Sequence, residues 1–271
     1  MIRRLKNKLF ATLCITTLTL GAAAAPSAFN SVHAASAAQT KTVYVDVEKN
    51  VLGQAPILQP VKVTLSDTNT IADATKQAVG DGNVNIVSSQ YGSYITGFKD
   101  ATDNQDAFKD YLFTNNLKKL TKGIVFRKDL PHQPIVTDVN YLSEKECDGI
   151  SGWMFTVNNE LNHDSTYYNG STALDNVPDG AVIRWEFTAA MGADMGLNSA
   201  YLPTQVTSDG YYNWATTKLV DPFFTRADKT TLIAKMANHA NKTDTAYTNA
   251  LTQLETLQAK QKNVDAAAGA L

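Results

Sequence analysis

The residues able to do chemistry are sparse and poorly grouped. His132, His163 and His239 stand apart, and none pairs with another histidine at i, i+4 spacing beside a glutamate, so the two-histidine zinc-protease motif is missing. His163-Asp164 reads as a solvated turn. Gly149-Ile150-Ser151-Gly152-Trp153 has the outline of a nucleophile elbow but lacks the glycine two residues after the serine. Asp100, Asp103, Asp106 and Asp110 fall at helix or loop spacing and read as a solvated face, not as a glycosidase pair. That stretch also lacks the glycine and closing glutamate of a calcium loop. The expectation is a non-enzymatic protein without a metal or cofactor.

Aromatic residues are the better lead. Trp153 and Trp185 alternate with polar or flexible neighbours and are expected to pack inward. Tyr167-Tyr168-Asn169-Gly170 falls between two strands. Exposed tyrosine gives a large contact area and a hydroxyl for little entropy, which suits recognition. The same pair could instead pack beneath the Met191–Ala200 segment. Tyr211-Tyr212-Asn213-Trp214 could stack on sugar rings or cover the junction with the tail, and the junction is the favoured reading.

These residues need elements to hold them, and hydrophobic periodicity supplies a plan. Val43, Val45 and Val47 mark a first strand, and Val61-Lys62-Val63-Thr64-Leu65 a second. A helix capped within Asp67–Thr70 runs through Val79 and stops at Gly80-Asp81-Gly82-Asn83. Tyr94–Phe98 reads as a short strand, 105–120 as a helix and 123–126 as a strand, together forming an insertion. Trp153, Phe155 and Val157 begin a closing pair of strands, with Ile183, Trp185 and Phe187 in the second. Strand, strand, helix and further strands give an α+β fold of β-grasp (ubiquitin-like) order. Its first strand should lie parallel beside its last. Residues 198–225 show no strong period and read as a linker or packing segment. From Arg226 the composition turns to Ala, Lys, Gln, Asn and Thr. The stripes Leu232/Ile233/Met236, Tyr247/Ala250/Leu254 and Val264/Ala267/Leu271 predict a small three-helix bundle over 226–271. The composition break predicts that residues 43–224 fold without this tail.

The ends and the composition bound the setting. Arg3, Arg4, Lys6 and Lys8 precede an apolar run from Leu9 to Ala25 and the small-x-small site Val32-His33-Ala34. That is a secretory signal peptide over residues 1–34, followed by a short leader at 35–42, and it predicts a secreted chain. Removing those basic residues makes the chain more acidic than its formal net charge of −2, which argues against nucleic acid as a partner. No later run is long enough to span a bilayer. Cys147 is the single cysteine beyond the signal, so no internal disulfide forms.

Several segments together resemble a known family. These are Tyr91-Gly92-Ser93-Tyr94-Ile95-Thr96-Gly97-Phe98; Ser151-Gly152-Trp153-Met154-Phe155-Thr156-Val157-Asn158-Asn159; Pro178-Asp179-Gly180 through Thr188; and Gly192-Ala193-Asp194-Met195-Gly196. Over residues 43–197 they are similar to the bacterial domain that resembles the C-terminal domain of transcobalamin and intrinsic factor. The resemblance implies a β-grasp-like fold and a loop between the Trp153 and Trp185 strands that faces ligand, with Tyr94 near it. Tyr94, Asn158, Tyr167 and Tyr168 are therefore the candidate ligand-binding residues, for a corrinoid or another flat small molecule. Vertebrate cobalamin carriers hold the ligand mainly in a helical barrel, which has no counterpart in this sequence. The tail, through Tyr247–Leu251 and Val264–Leu271, is similar to the FIVAR modules of Gram-positive surface proteins. That likeness implies the alternative function, a surface module binding cell-wall glycan or a protein partner through its helices.

Overall fold

The computed structural model describes residues 39–100, 102, 140–147, 149–163, 166–209 and 212–271. The expected signal peptide, residues 35–38 of the leader, the helix over 105–120 and the strand over 123–126 lie outside the described residues. So do Asp103, Asp106, Asp110, His132, Asp164 and Tyr211.

The fold is mixed α+β. Strands β1 (Thr40–Glu48), β2 (Leu58–Ser66), β6 (Gly152–Val157) and β9 (Ala181–Thr188) form the main sheet in the order β2-β1-β9-β6. The central pair, β1 and β9, is parallel, with Val43 opposite Ala181 and Glu48 opposite Glu186; the outer pairings are antiparallel. The parallel contact anticipated between first and last strands is thus present.

Alternation gives this sheet two faces. Val43, Val45, Val47, Trp153, Val157, Ile183, Trp185 and Phe187 are buried on the first. It is covered by helix α1 (Ile71–Val79) and by a second sheet of β3 (Val84–Ser89), β4 (Gly92–Lys99) and β5 (Tyr141–Ser143). A capping box starts α1: Asp73 N–H donates to Thr70 Oγ1 at 3.2 Å, and Thr70 N–H donates to Asp73 Oδ2 at 2.9 Å. Aromatic rings join the two sheets edge to face, Phe98 with Trp153 at 4.7 Å and Phe98 with Trp185 at 5.6 Å. Each buried indole finds an acceptor at 2.9 Å, Leu142 O for Trp153 and Thr75 Oγ1 for Trp185. Both tryptophans are core residues, as their alternation predicts.

The second face carries Tyr44, Asp46, Glu48, Val182, Arg184 and Glu186, and the C-terminal helices cover it. These are α2 (Thr230–Asn238), α3 (Thr245–Glu255) and α4 (Gln261–Ala270). Leu232, Ile233, Met236, Tyr247, Ala250, Leu254 and Val264 form their shared core, which includes Val182 and packs against Tyr44. Arg184 is therefore buried although it alternates with core residues. It bonds Glu48 Oε1 at 2.7 Å and Glu186 at 2.9 Å, while Arg226 meets Glu186 at 2.8 Å. Burial would raise the Glu48 carboxyl, but the charges of Arg184 and Lys229 and the hydrogen bonds from Arg184 and Asp46 together hold it down at about 2. Residues Ala38–Leu271 form one compact unit.

Two short pairs complete the described chain: β7 (Asn162–His163) with β8 (Thr166–Tyr167), and β10 (Ala200–Pro203) with β11 (Thr217–Val220). The second lies where the sequence shows no period. It packs Leu202, Tyr212 and Val220 against Ile150 and Ala190. Among the described residues no helix is long and apolar enough to cross a membrane. Cys147 is buried.

Candidate functional site

The outermost strand of the main sheet, β6, borders a cleft. Two adjoining hollows of about 310 and 480 Å³ share Tyr94, Trp153, Met154 and Asn198 in their linings. Strand β6 and the edge of Trp185 floor the first hollow, and Tyr94, Tyr167 and Tyr168 stand around it. The second continues past Glu144, Ile150 and Met191 to Trp214.

The loop after β8 is pinned, so its tyrosines are held in place. Its carbonyls at Thr172 and Gly170 accept from Ile71 N–H at 3.0 Å and Ala72 N–H at 2.8 Å, satisfying two of the free donors that begin α1. Ser93 N–H donates to Ser171 Oγ at 2.7 Å. Gly170 makes this approach possible, because a Cβ there would fall 2.5 Å from Ser93 O. A site held this way loses little freedom when a ligand arrives.

Three of the four sequence-derived candidates meet at the cleft. Tyr167 is 69% exposed and Tyr94 46%. Tyr168 is half-buried and packs against the main core as well as lining the hollow. The Tyr94 hydroxyl donates to Glu144 Oε2 at 2.7 Å, and burial together with that carboxylate pushes it above the usual phenol range. It therefore stays a protonated donor. Asn158 is placed elsewhere. It has φ 50° in the turn after β6, its Oδ1 accepts from Val182 N–H at 2.9 Å, and it lines neither hollow. Its side chain stabilises the turn.

Sequence reasoning missed Glu144, Met154, Asn198 and Met191, and favoured another place for Trp214. Trp214, expected over the junction with the tail, is 53% exposed and lines the second hollow instead. Its neighbour Tyr212 carries the packing, buried beneath the β10–β11 hairpin. The acidic Gly192–Gly196 motif is structural. Asp194 is buried and accepts from Thr188 Oγ1 at 2.5 Å and Ala189 N–H at 2.7 Å, tying the turn back to β9. Another hollow, of about 590 Å³, opens on the tail between Thr230, Lys235, His239 and Asp244.

No family model, curated protein or solved structure matches the chain. Its function is therefore argued from this geometry. Among the described residues no group of three or more His, Cys, Asp or Glu side chains is arranged to hold a metal. What the cleft offers is stacking area, a sulfur at Met154 and a few fixed polar groups, an arrangement for holding a molecule.

Proposed function

We propose that this is an exported, non-enzymatic binding protein built on a β-grasp domain, and that the cleft along β6 receives a flat, partly apolar small molecule. The observation that carries the reading is the convergence of Tyr94, Tyr167 and Tyr168 from distant segments onto one apolar hollow. Small-molecule sites are mostly apolar concavities of roughly 300–1,000 Å³ with a few placed polar groups. The linked hollows fall in that range, with Glu144, Asn198 and the Tyr94 hydroxyl as polar points. The order β2-β1-β9-β6, with parallel β1 and β9 and α1 across one face, supports the β-grasp assignment. The basic start, apolar run and Val32-His33-Ala34 support export.

A corrinoid is the first ligand to try, since the Gly-Trp strand, the Asp-Gly turn and the acidic glycine motif resemble the transcobalamin-like pattern. An open cleft would hold such a ligand by one edge. Titration with cobalamin, followed by its visible spectrum and by quenching of tryptophan emission, tests the reading. Saturable change in the native protein, weakened in Tyr167→Ala, is the expected result. Lack of any change sinks the corrinoid. Retention on purified cell walls that survives Tyr167→Ala would move the function to the open hollow on the tail, the rival site.

A further inference from the structure

On the second face of the main sheet, polar side chains from two distant segments meet under the tail. Asn50 lies in the single 3-10 turn after β1, Glu48 ends β1, and Lys229 immediately precedes α2; all three are buried. Asn50 Nδ2 donates to Glu48 Oε2 and, at 2.9 Å, to the Leu254 carbonyl at the end of α3. Lys229 Nζ donates to that same carbonyl at 2.5 Å and to Thr256 O at 3.0 Å. One oxygen therefore holds both nitrogens, and their separation cannot exceed those two bonds laid end to end. Asn50 Oδ1 is buried and has no hydrogen-bond partner among the described residues.

We propose that Lys229 and Asn50 join in an intramolecular isopeptide bond, with Glu48 holding the amide in place. The neutral Lys229 amine attacks Asn50 Cγ. A Cγ–Nζ bond forms, the Cγ–Nδ2 bond breaks, and Nδ2 leaves as ammonia. One amine hydrogen passes to the departing nitrogen, which the Glu48 carboxylate holds by its hydrogen bond; the other remains on the new amide. The step consumes no oxidant and needs no cofactor.

Three features favour the reaction here over an ordinary lysine–asparagine contact. Burial pushes the Lys229 ammonium down to about 8, against the pull of Glu48, so the nucleophilic amine is accessible near neutral pH. The fold holds the Asn50 amide on Glu48 and ties amide and amine to one carbonyl, which lowers the entropic barrier. The product replaces a buried cation by a neutral amide and so relieves a desolvation cost. Asp46, on the same strand face, is pushed well above the usual carboxylate range by burial and by Glu48 beside it. The bond would staple the first strand of the sheet to the start of the tail.

Mass spectrometry of the folded full chain, denatured only after purification, decides the matter. The expected mass is one ammonia below the sequence mass, and a tryptic map contains residues 50–62 joined to residues 227–235, uncut at Lys229. Lys229→Arg and Asn50→Ala should each return the full sequence mass. A native chain at its sequence mass overturns the proposal and leaves Lys229 and Asn50 as non-covalent caps on α3. So does ammonia loss confined to an unlinked 50–62 peptide, the mark of a cyclic imide at Asn50. Both readings come from the native protein, so they hold even if a variant fails to fold.

Discussion

Tyr94 and Glu144 are joined hydroxyl to carboxylate at 2.7 Å, and the pair stands where the two hollows of the cleft meet. The bond orients a half-exposed ring that would otherwise sweep across the opening. Tyr94→Phe keeps the ring and frees the carboxylate. It should cost about 0.5–1.5 kcal/mol or less in stability, read by chemical denaturation. Tyr94→Ala removes the wall itself and should weaken ligand binding by roughly five- to 150-fold, while the melting temperature stays close to that of the native protein.

The two adjacent loop tyrosines should part company. Tyr167, largely exposed, should lose affinity on replacement by alanine with little change in melting. Tyr168 packs against the main core, so Tyr168→Ala should lower stability by about 2–4 kcal/mol and affect binding as well. Paired melting curves and titrations check this. Equal melting losses in both variants would make the loop a structural element.

Truncation after Phe224 tests the tail. Composition separates the tail at Arg226, whereas packing binds it to the sheet: Val182 belongs to its core, and Arg226 completes the ion network with Glu186. Removing it exposes Glu48 and Arg184 and strips Glu186 of its Arg226 partner. The truncated chain is expected to lose its cooperative unfolding transition, seen by circular dichroism on heating. A sharp transition near that of the full chain would show that the strands stand alone.

Acid should weaken the same joint. Glu48 is held at about 2 in the folded protein against an ordinary 4.5, so its contribution is complete above the unfolded value and is lost as pH falls through the folded one. The loss falls between pH 4.5 and 2 and amounts to about 3 kcal/mol from this group alone. Glu48→Gln should flatten that part of the stability profile. Urea midpoints measured across the range give the comparison.

Elements with strict alternation were readable because burial on one face writes a period of two. Val43/Val45/Val47, Trp153/Phe155/Val157 and Ile183/Trp185/Phe187 are such runs, and Thr70 announces α1 by its capping chemistry. Strand β3 was hidden because Val87 is exposed and its strand covers only one side of β4. Strand β11 is exposed at Thr217, Lys218 and Leu219, so it has no buried face to write a pattern. Helix α4 begins at Gln261, before its first buried residue, Val264, and so runs longer than the short third stripe implied. Arg184 and Glu186 read as solvent-facing because alternation tells two faces apart without telling what covers the second. The cleft was legible only at its tyrosines. Met154 lies on the parity opposite to Trp153, and Trp214 arrives from a remote hairpin, so neither carries a local signal.

The parallel contact between β1 and β9 sets the order in which the molecule can be completed. Strand β1 is made early, yet its neighbour on one side begins at Ala181. Until that late segment emerges, Val43, Val45 and Val47 have β2 beside them and α1 and the smaller sheet above them, but the main sheet lacks its central partner. Such long-range pairing slows folding, because a large loop must close before the contact returns any energy. A nascent chain of this design cannot complete its main sheet until the segment from Ala181 has been made.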